Sequence, residues 1–149
     1  MLPDDVRARS GAAGPAVPEV LDDLHTALER LWDSVPDIPR GDRIRFETAV
    51  VEVATNVVGH ALPVRSVVQL RAEFQVTATT LEGTLTDDGA DVDIDLTGST
   101  PADTAESGRG LLLIQRTVDT FSFRREDGLN VWRLSRRYAT GAESAPPAR

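Results

Sequence analysis

Apolar positions along the chain follow two rhythms. From Glu19, Val20, Leu21, Leu24, Leu28, Leu31 and Trp32 recur at spacings of three and four, which predicts an amphipathic helix that stops before Pro36. Beyond the loop SVPDIPRGD, Asp42 is placed to cap a second helix. Its stretch FETAVVEVATNVVGHA, residues 46–61, is apolar almost all round, as in a helix inside a core, and Gly59 and Pro63 bring it to an end. Alternation then takes over. Val68, Leu70, Ala72, Phe74 and Val76 alternate with Gln69, Arg71, Glu73 and Gln75, a strand with one core face and one wet face. A second strand sets Leu81, Gly83 and Leu85 in one phase and Thr80, Glu82, Thr84 and Thr86 in the other.

The segment DDGADVDIDLTGSTPADTAESGRG follows, longer than a plain connection and of the length that marks a functional lid or a disordered stretch. Leu111, Leu112, Leu113, Ile114 and Val118 then predict a short apolar helix entered through a Gly-Arg-Gly turn. The last element reads as a hairpin on a type I′ turn at Asp127-Gly128. That turn sets Glu126 opposite Leu129, Arg125 opposite Asn130, Phe123 opposite Trp132 and Phe121 opposite Leu134. Arg124 and Arg133 then fall on the other face, so register and pattern agree. Residues 1–18 and 139–149 carry Pro, Gly, Ala and charge without an apolar period and read as disordered tails around one domain over 19–138. One-faced strands with helices to cover them predict an α+β fold, a two-layer sandwich with helices on one side of a single mixed or antiparallel sheet.

Four polar residues break this pattern. Glu52 and Asn56 sit among the valines of the second helix, four residues apart and so on one face, with Thr48 and His60 a turn to either side. Asp87 continues the core phase of the second strand at its end, and Asn130 falls in the core phase of the hairpin. An unpaired carboxylate enclosed by valines costs several kcal/mol to bury. A narrow solvent stripe would explain the helix pair alone, whereas all four pointing into the seam between the layers describes a ligand site. His60 reads as a structural residue at a helix end, and His25 as a surface residue.

Composition narrows the ligand. A net charge of -8 argues against non-specific binding to nucleic acid or an anionic membrane, so an anionic ligand must be held by local features such as a helix N-terminus, an arginine or a metal ion. With no cysteine there is no disulfide or thiolate chemistry, which fits the cytoplasm. No apolar run reaches the ~18 residues of a membrane span, nor does the N-terminus carry a signal peptide's apolar core. Gly108, Arg109 and Gly110 at a helix entry let backbone N–H groups approach an anion. Taken singly, that turn and Asp87-x-Gly89 have ordinary structural explanations. In order, however, a Glu-x-x-x-Asn helix, an Asp-x-Gly strand end, a long loop and a Gly-x-Gly helix start combine an acceptor for an exocyclic amine, an amide oxygen suited to Mg²⁺ and a phosphate nest, which together fit ATP–Mg²⁺.

Three stretches carry a resemblance: EVATNVVGHA at 52–61, LTDDGADVD at 85–93 and ESGRGLLLIQRTVDTFSF at 106–123. With them the chain resembles, over about residues 19–138, the ATP-binding domain shared by gyrase, heat-shock chaperones and histidine kinases, the GHKL or Bergerat fold. Within that superfamily it is most similar to the small bacterial anti-sigma-factor serine/threonine kinases. The resemblance implies that Asn56 coordinates Mg²⁺ and through it the phosphates, and that Glu52 is the general base. It implies that Asp87 accepts a hydrogen bond from the adenine amine and that Gly89 lets the base lie against the backbone. Gly108, Arg109 and Gly110 would hold the phosphates, residues 92–107 would form the ATP lid, and Asn130 falls near where relatives place a Thr that helps hold adenine. The sequence departs from the family at Asp91, where the second glycine of DxGxG is expected, and in a lid rich in Asp and without lysine, which leaves Arg109 as its main cation.

Two functions follow as expectations. One is an anti-sigma regulatory factor that sequesters a sigma factor and phosphorylates a Ser or Thr of an anti-anti-sigma antagonist. The other, favoured by Asp91 and the acidic lid, is a partner-binding regulator of the same fold without catalysis, gated by nucleotide or independent of it. A histidine kinase is disfavoured because the chain has no room for a dimerisation and phosphoacceptor module. Relatives often form homodimers, although no apolar patch here demands one.

Overall fold

The computed structural model describes residues 5–64, 66–91 and 105–140, with side chains of the last segment from Gly110 onward. The elements run β1 (Val6–Pro15), α1 (Glu19–Ser34), α2 (Arg40–His60), β2 (Gln69–Thr77), β3 (Thr80–Asp87), α3 (Ala105–Thr117), β4 (Thr120–Glu126) and β5 (Leu129–Arg137). The five strands form one sheet in the order β1-β2-β3-β5-β4, each pair antiparallel. The expected α+β architecture is therefore present, and the sheet is antiparallel throughout.

The periodicity places the core as predicted. Val20, Leu24, Leu28, Leu31 and Trp32 of α1 are buried, as are Val50, Val53 and Val57 of α2 and the alternate positions Leu70, Ala72, Phe74 and Val76 of β2. In β3, Leu81, Gly83, Leu85 and Asp87 all face inward. Phe46 of α2, fully buried, meets Trp32 and Phe74 edge to face at ring-centroid separations of 6.1 and 6.3 Å, joining both helices to the sheet. The hairpin has the predicted register at every pair, and its turn residues Asp127 and Gly128 take φ of 52° and 79°, as a type I′ turn requires.

Two expectations are corrected. Residues 6–15 are not a tail but the edge strand β1, paired with β2 from Val6 opposite Thr77 to Pro15 opposite Gln69. Its inward positions are Ala8, Ser10, Ala12 and Gly14, too small to register as an apolar period, yet their size lets α1 lie close, and Ser10 Oγ donates to the Ala27 carbonyl at 2.8 Å. Asp42 is not a cap either. Helix α2 starts at Arg40 with Pro39 at its N-cap, and Asp42 lies inside the first turn, buried against Arg136. Most of the expected lid, and residues 141–149 of the expected C-terminal tail, lie outside the described residues.

Candidate functional site

The site is built along α2 and has two ends. At one end α2 lies against α3, and Gly110 provides the contact. A Cβ at residue 110 would stand 3.0 Å from Glu52 Oε2 and 3.7 Å from Asn56 Nδ2, so the hydrogen of glycine is what lets the carboxylate and the amide lie side by side against α3. Both side chains are half-buried, and among the described residues neither has a hydrogen-bond partner. The seam predicted for them is thus the rim between two helices, where their polar atoms stay available.

At the other end Asp87 is 1% exposed and both of its oxygens accept hydrogen bonds. Its Oδ1 accepts from Asn130 Nδ2 at 2.9 Å and from the Gly89 N–H at 3.0 Å, and its Oδ2 accepts from Trp132 Nε1 at 3.0 Å. A carboxylate oxygen has two lone pairs, so Oδ2 retains capacity for one further donor. Gly89 is needed for a steric reason: a Cβ there would lie 2.9 Å from Asp87 Oδ1 and 3.3 Å from both the Ala61 Cβ and the Leu62 carbonyl oxygen. The turn after β3 is packed onto the end of α2, and the Ala90 N–H donates to the Leu62 carbonyl at 2.8 Å.

The two ends are ordered along one axis. Asn56 precedes Ala61 by five residues and Glu52 precedes it by nine, about 7.5 and 13.5 Å at 1.5 Å per residue. An elongated ligand laid along α2 would meet Asp87 first, then Asn56, then Glu52.

The Gly-Arg-Gly segment differs from expectation. Gly108, Arg109 and Gly110 are not an entry turn, because α3 already begins at Ala105. Their N–H groups fall where intrahelical bonds are made, so the amides without an intrahelical partner belong to residues 105–107. The side chain of Arg109 lies outside the described residues, and Asp91 is exposed. His60 is exposed in the last turn of α2 and His25 is exposed on α1.

Two residues that hold the candidate site together escaped the sequence reading. Trp132 reads as core, and it is, but its indole N–H needs a partner when buried and finds Asp87. Arg125 donates through Nη1 to the Gly89 carbonyl at 2.7 Å and to Asn130 Oδ1 at 3.0 Å. Its position opposite Asn130 in the hairpin was the available signal.

Among known proteins, the chain is similar in fold to the RsbU and RsbW domains of Rv1364c from Mycobacterium tuberculosis, with a TM-score of 0.61 and 15% identity over 95% of this chain and 34% of that one. It is also similar to the histidine kinase domain of the blue-light activated histidine kinase EL346 from Erythrobacter litoralis, with a TM-score of 0.52 and 19% identity over 81% of this chain and 60% of that one. The chain thus spans about a third and three fifths of these two structures. A comparison with curated proteins gives no match. No helix among the described residues is long and apolar enough to cross a membrane. Residues 14–136, most of the 149-residue sequence, match the histidine kinase-like ATPase domain. With that match, the fold and the ordered motifs in agreement, the chain belongs to the histidine kinase-like ATPase family of the GHKL superfamily.

Proposed function

We propose that this protein is an ATP-binding anti-sigma regulatory factor with serine/threonine kinase activity, which sequesters a sigma factor in the cytoplasm and phosphorylates an anti-anti-sigma antagonist. The observation that carries the reading is the contact at Gly110, which sets a carboxylate and an amide side by side against α3 while Asp87 stands at the far end of the same helix. The RsbW domain in one of the structures of similar fold supports the choice of regulator.

In this reading Asp87 Oδ2 accepts from the exocyclic amine of adenine, and the amides in the first turn of α3 that lack an intrahelical partner would hold the phosphates. The donor set at Glu52 and Asn56, hard oxygens half open to solvent, fits Mg²⁺, which Asn56 would hold. When bound, Mg²⁺ neutralises charge on the phosphates. Glu52 takes the proton from the Ser or Thr hydroxyl as its oxygen bonds to the γ-phosphorus and the bond to the bridging oxygen breaks, releasing ADP. Arg109 is the cation proposed for the γ-phosphate.

The test mixes the protein with ATP–Mg²⁺ and candidate antagonist proteins. Phosphate appearing on a Ser or Thr is expected, and Glu52→Gln should keep ATP affinity within about twofold while lowering transfer by 10² or more. Absence of transfer to every candidate, with ATP bound, would favour the second reading, a regulator that binds partners without catalysis. Asp91 and the acidic segment after it favour that alternative, in which Glu52→Gln changes nothing.

A further inference from the structure

One rung of the sheet crosses the base end of the site. Arg125 of β4 is paired with Asn130 of β5, and Asn130 with Asp87 of β3. The side chains on this rung form a chain of fixed polarity. Arg125 has only donors, so Asn130 must turn its Oδ1 toward it, at 3.0 Å. That choice aims Asn130 Nδ2 at Asp87 Oδ1, 2.9 Å away, and at the Ala90 carbonyl, 3.0 Å away. The same Nη1 of Arg125 holds the Gly89 carbonyl at 2.7 Å, and Gly89 in turn donates its N–H to Asp87 Oδ1. With the amide of Asn130 reversed, its oxygen would face the carboxylate and two acceptors would repel.

We infer that Arg125 is the positioning residue for base recognition. By holding Asn130 Oδ1 and the carbonyl of Gly89, it keeps both donors to Asp87 Oδ1 in place and leaves the unfilled lone pair on Oδ2 as the acceptor offered to the ligand. An acceptor there suits adenine, which presents an amine, and opposes guanine, which presents a carbonyl oxygen at the same ring position. Arg125 itself need not touch the nucleotide. This inference rests on the nucleotide reading of the site.

The test compares wild type, Arg125→Ala, Arg125→Lys and, as a control, Arg124→Ala on the opposite face of the same strand. Calorimetry measures ATP and GTP affinity, and ¹⁵N–¹H spectra of the ligand-free proteins follow the indole N–H of Trp132, which reports the position of Asp87 Oδ2. Arg125→Ala should weaken ATP binding about tenfold, as loss of hydrogen bonds from a charged group does. It should also narrow the preference for ATP over GTP and shift the Trp132 signal. Arg125→Lys should recover part of all three, and Arg124→Ala should match wild type. If wild type binds ATP and Arg125→Ala keeps both affinity and preference, the inference is overturned, whatever happens to its melting temperature. If wild type binds no ATP, the nucleotide reading fails. The role in base recognition falls with it, and the Trp132 signal then tells only whether Arg125 positions Asp87.

Discussion

At the scale of single residues, the site depends on two missing methyl groups. At Gly89 the added Cβ would press on Asp87 Oδ1 and on backbone and Cβ atoms that cannot yield. Gly89→Ala is expected to destabilise the fold by about 1–3 kcal/mol and to weaken ATP binding, measured by urea denaturation and calorimetry. At Gly110 the atom in the way is the end of a flexible glutamate side chain. Gly110→Ala should therefore leave stability within about 0.5 kcal/mol and ATP affinity nearly intact, while transfer falls because Glu52 is displaced; equal loss of both would contradict this. Glu52, Asn56, Asp87 and Asn130 were legible in the sequence because each puts a polar group in an apolar phase. Trp132 was not, since a tryptophan in a strand satisfies the core pattern and its N–H partner depends on how β3 and β5 pair.

At the scale of elements, the two helices of the site are fastened together away from the base end. Arg136 donates from Nε to Asp42 Oδ1 at 2.9 Å and from Nη1 to the Thr117 carbonyl at the end of α3 at 3.0 Å, while Asp42 Oδ2 accepts from the Ala139 N–H. The acid sits at the positive end of α2 and the base at the negative end of α3, each favourable to a helix dipole. Both side chains are largely buried, so Asp42→Ala leaves a guanidinium without its partner and should cost about 3 kcal/mol in denaturant unfolding. Strand β1 adds an ion pair nearer the surface. Arg7 donates to Asp37 Oδ1 at 2.6 Å and to the Tyr138 hydroxyl at 3.0 Å, and the hydrogen bond from Arg7 keeps the Asp37 carboxyl below its ordinary value of 3.8. A carboxyl lowered in the folded state adds stability above its unfolded pKa and loses it as pH falls through the folded one. The bridge is exposed, at 33% and 59%, so at most about 1 kcal/mol should disappear as pH drops below 3.8, and Asp37→Asn should remove that increment of the acid dependence. The sequence hid β1 for a related reason: its contacts come from backbone pairing and small side chains, neither of which leaves a hydrophobic rhythm.

At the scale of the molecule, one-faced strands and helices with apolar faces were enough to specify two layers, and the hairpin was legible down to its register. Strand order was not. The placement of β5 between β3 and β4 is a long-range choice that no local pattern encodes, and it alone lines up Arg125, Asn130 and Asp87 on one rung. In the proposed reading, recognition of the base then depends on how many residues the chain uses to reverse direction at Asp127-Gly128, a solvent-facing corner that no nucleotide would touch. Because side chains alternate with a period of two, one extra amino acid at that corner would turn every position of β4 over, sending the guanidinium to the water side and Arg124 to the helix side. Insertions at surface corners are commonly harmless, but under that reading the length of a bend is part of what the protein can distinguish.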